Sequence, residues 1–169
     1  MKKVFLFAAL VAASFTGIAQ DGESGVRGFK IGGGINVAVP FGDLADFSTI
    51  GAGIDVLGQY GFSDNLAVTL DAGYTSFFGK DDFDNTGIIP IRAGLRYFPS
   101  SNLYIGAKGG IGIVTAAGGD SESGAAYSVG AGYMMSPKLD IGLTYDGYSI
   151  NSVSLSSINI RLGYFFGGK

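Results

Sequence analysis

Polar and apolar residues alternate along most of this chain. The final stretch is the cleanest case. Ile158, Ile160, Leu162, Tyr164 and Phe166 fall on one face, and Ser157, Asn159, Arg161 and Gly163 fall on the other. A period of two marks a β-strand with one apolar and one polar side. Similar runs recur, separated by short polar turns at Ser63-Asp64-Asn65, Ser100-Ser101-Asn102 and Ser136-Pro137-Lys138. The neighbouring residues Phe62, Pro99 and Ser136 are 37 residues apart, the length of one unit of strand, longer loop, strand and tight turn. The longer connections fall at Pro40 to Ile50, Gly79 to Thr86, Ala117 to Gly124 and Ile150 to Ser154. The pattern predicts eight strands, at 28–39, 51–62, 66–78, 87–98, 103–116, 125–135, 139–149 and 155–166.

An even number of strands joined in sequence can close into an antiparallel up-and-down β-barrel. Each run has the roughly 9–11 residues that a tilted strand needs to cross a bilayer, and closure leaves no unpaired edge in hydrocarbon. Tight turns at one end and longer loops at the other are the asymmetry of transmembrane barrels, with the turns toward the periplasm.

Alternation alone does not say which face meets lipid, because a soluble lipocalin-like barrel alternates with its apolar side inward. The make-up of the polar face decides. It carries Lys30, Asp55, Asp71, Arg92, Arg96, Lys108, Asp140, Asp146 and Arg161, interleaved with glycines such as Gly32, Gly34, Gly94, Gly106, Gly110, Gly130, Gly132, Gly142 and Gly163. A water-facing surface would be dense in Lys, Glu and Thr. Glycine among long charged side chains fits the crowded interior of an eight-stranded barrel. The nine charges nearly balance, so they are expected to pair as a lumen-filling network, since buried charge is tolerated when paired. The opposite face carries Ile35, Val37, Ile54, Leu70, Leu95, Leu143 and Ile160 without a charged interruption. Aromatics gather at its two rims: Tyr60, Phe62, Tyr97, Tyr133, Tyr164 and Phe166 near the turns, and Tyr74, Phe78, Tyr127, Tyr145 and Tyr148 toward the loops. Such girdles belong at membrane–water interfaces.

Composition adds an address. Lys2 and Lys3, the apolar run Val4 to Ala13 and the small residues of Gly17-Ile18-Ala19 have the form of a secretory signal, so residues 1–19 are expected to be cleaved and 20–169 to form the barrel domain. The run is too short to span comfortably as a helix. The chain has no cysteine, which excludes disulfides and a lipid-modified N-terminal cysteine. Setting aside Lys2 and Lys3 leaves nine basic residues of the eleven against fourteen acidic ones, a balance that argues against a nucleic-acid partner.

Given the signal segment, the 37-residue hairpin period and the ending Arg161-Leu162-Gly163-Tyr164-Phe165-Phe166, the chain resembles the small outer-membrane β-barrel family. That family includes the barrel domain of outer-membrane protein A and the Ail/Lom-type porin-like proteins. The segment Val39-Pro40-Phe41-Gly42-Asp43-Leu44 looks like the family's first loop. The resemblance implies residence in outer-membrane lipid, a monomer, and insertion by the barrel-assembly machinery, with Leu162, Tyr164 and Phe166 as its assembly signal.

Chemistry is sparse. The chain has no histidine, so neither a Ser-His nor an Asp-His pair can form. Asp140 and Asp146 share one strand face about 20 Å apart at strand rise, too far for joint catalysis. Asp82, Asp84 and Thr86 before Gly87 look like the opening of a calcium loop, but residue 93 is Ala where an EF-hand needs Glu. Gly109-Gly110-Ile111-Gly112 lacks the Lys-Ser/Thr of a phosphate loop. No cofactor is expected. The reading is a side-chain-filled, non-enzymatic barrel with a structural, membrane-integrity or surface-interaction role; the alternative is a narrow channel for ions or small solutes.

Overall fold

The computed structural model describes residues 26–80, 84–115, 121–150 and 153–166. The expected signal segment lies outside them. Eight strands follow one another: β1 (Gly28–Gly42), β2 (Ser48–Gly61), β3 (Leu66–Gly79), β4 (Thr86–Tyr97), β5 (Leu103–Thr115), β6 (Ser121–Met134), β7 (Leu139–Ile150) and β8 (Val153–Phe165), with a one-turn helix α1 (Asp43–Phe47) between β1 and β2. Each strand pairs antiparallel with its neighbours in sequence, and β8 closes on β1. The register can be followed around the barrel through inward positions: Lys30, Gln59, Thr69, Gly94, Lys108, Ser128, Asp146, Ser157 and back to Pro40. Returning ten residues further along β1 is the stagger that tilts the strands.

The three tight turns share one device. Ser63 Oγ accepts the Leu66 N–H at 3.0 Å, Ser100 Oγ the Leu103 N–H at 3.2 Å and Ser136 Oγ the Leu139 N–H at 3.1 Å. Each serine satisfies the first backbone donor of the next strand, which is why serines recur at the hairpin period. At the same end Arg27 Nε meets Asp64 Oδ1 at 2.5 Å, fastening the segment before β1 to the first turn. The guanidinium holds the Asp64 carboxyl below its usual range.

At the loop end the strands run further than the alternation predicts. The span 40–50, expected as loop, is β1 to Gly42, then α1, then β2 from Ser48. Pairing of β1 with β2 stops at Ala38 opposite Gly51, while its pairing with β8 continues to Gly42 opposite Leu155. Gly42 turns the chain into α1 at φ +57°, where side-chain-bearing residues are strained. β6 begins at Ser121 rather than 125, because Ser121 to Gly124 ladder with Gly112 to Thr115; polar residues give no alternation to read. β7 extends through Ile150 and β8 starts at Val153, shortening the last loop. Pro90 sits within β4, and the ladder to β3 lapses between Ala72 opposite Ile91 and Thr75 opposite Ile88. A missing N–H explains the gap.

The interior is layered. At the loop end a buried apolar cluster joins Leu44 of α1 with Ala38, Phe77, Ile88, Tyr148, Ile150 and Leu155. At the turn end a second joins Val26, Leu57, Ala67, Phe98, Tyr104, Met134 and Phe165. Outward, Ile35, Ile54, Leu70 and Leu143 are all more than half exposed, a surface that only lipid can cover without penalty.

Candidate functional site: a charge-filled lumen

Between the two apolar clusters lies a polar belt. The sequence expects one network of nine charges; the structure resolves eight of them into two groups of four, each with two positive and two negative side chains. In the group nearer the loops, Arg92 donates to Asp71 Oδ2 at 2.9 Å from Nη2 and to Asp146 Oδ2 at 2.9 Å from Nη1. Lys108 Nζ lies 3.0 Å from Asp71 Oδ1, and the Ser128 hydroxyl donates to Asp146 Oδ1 at 2.6 Å. Asp71 is 3% exposed and Arg92 is 7% exposed. At that depth an unpaired charge would be costly, and each of these has an opposite charge within 3.0 Å.

In the group nearer the turns, Arg161 donates to Asp55 Oδ1 at 2.7 Å from Nη2 and to Asp140 Oδ1 at 2.9 Å from Nη1. Asp140, fully buried, also meets Arg96 Nη2 at 3.6 Å and accepts the Tyr104 hydroxyl at 2.7 Å. Arg96 reaches Gln59 Oε1 at 3.0 Å and stacks over the Tyr104 ring, 4.1 Å from its centroid, a cation–π contact in a desolvated setting. Lys30 shares the inner face, opposite Gln59 in the ladder.

Glycine makes the room. A Cβ on Gly34 would come within 2.7 Å of the Arg161 guanidinium, and one on Gly163 would collide with both Arg161 and Asp140. Two guanidinium-carrying layers therefore fit in a barrel whose eight strands leave little interior space. What remains is a cavity of about 60 Å³, bordered by Asn36, Asp71, Arg92, Lys108, Thr144 and Asn159 among others. That is room for a few waters, at roughly 10–15 Å³ each by this measure.

The girdle assignment misplaced one residue and left others unnoticed. The outer-girdle placement of Tyr148 is corrected: it shares parity with Asp146 and Thr144, points inward and is 4% exposed. Its ring lies against Gly112, where a Cβ would come within 2.6 Å. Tyr104, Leu57, Phe77 and Phe165 are buried inward residues to which the sequence reading assigns no face. Their signal was available in the period of two, since each falls on the parity of a charged or glycine neighbour. The expected assembly residues Leu162, Tyr164 and Phe166 all face outward, with the Tyr164 and Phe166 rings in edge contact at 5.8 Å. Of the segment that looks like the opening of a calcium loop, Asp82 lies outside the described residues. Among the described residues no three potential metal ligands gather.

The family described as outer membrane protein beta-barrel domain matches residues 5–166 of this chain. No curated protein matches it by sequence. Several solved structures share the fold. The attachment invasion locus protein Ail of Yersinia pestis is 17% identical, with 82% of this chain and 97% of that one covered at a TM-score of 0.60. The N-terminal β-barrel domain of Pseudomonas aeruginosa OprF is 14% identical, with 81% and 97% covered at 0.64. Neisserial surface protein A is 16% identical, with 80% and 96% covered at 0.56.

Proposed function

Because the chain belongs to the family of outer membrane protein β-barrel domains and resides in the outer membrane, we propose that it is a closed, non-enzymatic barrel that supports membrane integrity and presents its loop end at the cell surface. The observation that carries this reading is the layered lumen: an apolar cluster at each end, with two neutral groups of charges between them. A conducting path would have to pass Leu44, both charge layers and then Leu57 with Phe165. The channel reading has the 60 Å³ cavity in its favour, but that space lies between the apolar layers.

Insertion by the barrel-assembly machinery through Leu162, Tyr164 and Phe166, and a monomeric state, belong to the same proposal. The placement of all three residues on the outer face at the end of β8 supports it. Ail of Yersinia pestis has been solved with the heparin analogue sucrose octasulfate. The loop end of this chain carries exposed Asp43, Asp46, Asp84 and Glu122, so charge argues against a polyanionic partner here.

The test is deletion of the gene in its host. A structural barrel predicts greater sensitivity to detergent and bulky antibiotics, restored by the intact gene. Slower uptake of small solutes with an unchanged detergent response would establish the channel instead.

A further inference from the structure

The apolar collar of the barrel is taller on one wall than on the other. On β1, Ile35, Val37, Val39 and Phe41 run outward without a polar interruption, ending with Phe41 at 49% exposure. Ile50 on β2 and Phe78 on β3 continue that level, at 43% and 45%. On the far side the corresponding outward positions are serines: Ser123 on β6, Ser149 on β7, and Ser154 and Ser156 on β8. Both boundaries are fixed by the register. Phe41 lies opposite Ser156 where β1 meets β8, and Ile113 lies opposite Ser123 where β5 meets β6.

Hydrogen bonding marks the same boundary. On the serine wall the Tyr145 hydroxyl donates to Ser156 Oγ at 2.8 Å, and Tyr145 packs beside Tyr127 at 6.3 Å between ring centroids. Those tyrosines set the interfacial level there, and at the outward positions of β6 and β7 only glycine, alanine and serine stand beyond them. On β3, diametrically opposite β7, Tyr74 is followed outward by Ser76 and then by Phe78. Two outward positions on a tilted strand climb about 10 Å along the barrel axis.

We propose that the barrel sits asymmetrically in its bilayer, with acyl chains covering the β1–β3 wall up to Phe41, Ile50 and Phe78, while the β6–β8 wall emerges at the level of Tyr127 and Tyr145. Continuity identifies the occupant. The tall wall prolongs the lipid-facing band on the same strands and carries no charge. A hydrophobic stretch longer on one side is accommodated by tilt or by locally thicker lipid. The serine wall then faces thinner lipid or headgroups.

The chain contains neither tryptophan nor cysteine, so single reporters can be placed without background. Phe41→Trp, Phe78→Trp, Ser123→Trp and Ser154→Trp, with Leu70→Trp as a mid-membrane reference, would be refolded into vesicles of phosphatidylcholine brominated near the ester carbonyls. Heat-modifiable gel mobility verifies folding of each. The proposal predicts quenching of the two Phe-replacing tryptophans at least half as strong as that of Leu70→Trp, and little quenching at the two serine positions. Unquenched, red-shifted emission from Phe78→Trp would place that wall in water and overturn the proposal. Unquenched, blue-shifted emission that changes on dilution into excess lipid would assign the wall to a second copy, overturning it equally. Equal quenching on both walls would remove the asymmetry.

Discussion

Replacing Arg92 by Met isolates the contribution of the charge layer near the loops. The guanidinium sits between Asp71 and Asp146, 2.9 Å from each, with its side chain 8% exposed. Met keeps most of the stem volume, so little cavity opens. What changes is charge: two carboxylates and two cations become two carboxylates and one ammonium. Asp71 retains Lys108 at 3.0 Å, but Asp146 retains only the Ser128 hydroxyl at 2.6 Å. Breaking a buried pair by removing one partner costs about 3–5 kcal/mol. Two such contacts are lost and one carboxylate stays compensated, so the expected loss is about 3–5 kcal/mol rather than twice that. Urea unfolding in phospholipid vesicles, followed by far-UV circular dichroism and gel mobility, reads it directly. Arg92→Lys should fall between, since an ammonium cannot span both carboxylates as the planar fork does. Adding Asp146→Asn to Arg92→Met should recover most of the loss. Destabilisation below about 0.5 kcal/mol, the range of neutral surface changes, would refute the claim that these charges hold the lumen together.

Adjacent glycines on opposite faces make a sharp comparison. A Cβ on Gly109 meets nothing within 4 Å, while one on Gly110 collides with the Ile91 carbonyl, so Gly109→Ala should be neutral and Gly110→Ala should cost about 1–3 kcal/mol in the same urea assay. Leu44→Ala, which empties a fully buried position in the loop-end cluster, should lower stability by about 2–5 kcal/mol on unfolding. Leu143→Arg, at an outward position 55% exposed, should cost about 2–4 kcal/mol on refolding into vesicles, with Leu143→Val close to the parent. At the turn end, the lowered pKa of Asp64 makes the Arg27 bridge complete at neutral pH and lost as pH falls from the ordinary 3.8 through the depressed value. Asp64→Asn should therefore speed trypsin cleavage after Arg27 at neutral pH while leaving the unfolding midpoint unchanged, because both groups are exposed.

The residues that made the barrel legible are those whose period of two separates two solvents. Leu143 beside Thr144, and Ile160 beside Arg161, assign their faces without ambiguity. The serine turns were equally plain, since each serine serves the same backbone donor. Legibility failed where that contrast ends. Ser121 to Gly124 are strand without an apolar partner face, so the ladder there left no mark in the sequence. Leu57, Phe77, Tyr148 and Phe165 are apolar on the inward parity, where a two-solvent rule expects polarity; they cap a lumen that is polar only in its middle. Helix α1 was hidden for a related reason, because its five residues are held by the burial of Leu44 rather than by local helix preference. The nine inner charges could be named from parity alone. Their division into two neutral groups could not, since that depends on the stagger of ten residues at closure, which brings Arg161 of β8 over Gly34 of β1 to Asp55 of β2.

Single-channel recording from the refolded barrel in a planar bilayer tests the closed lumen most directly. Protein shown to be folded by its gel mobility should give no steady conductance, since Leu44 and Phe165 are buried in the apolar clusters at the two ends and the charges between them are paired. Reproducible discrete openings from the same folded preparation would contradict the account and make Asp71, Arg92 and Arg161 pore-lining residues.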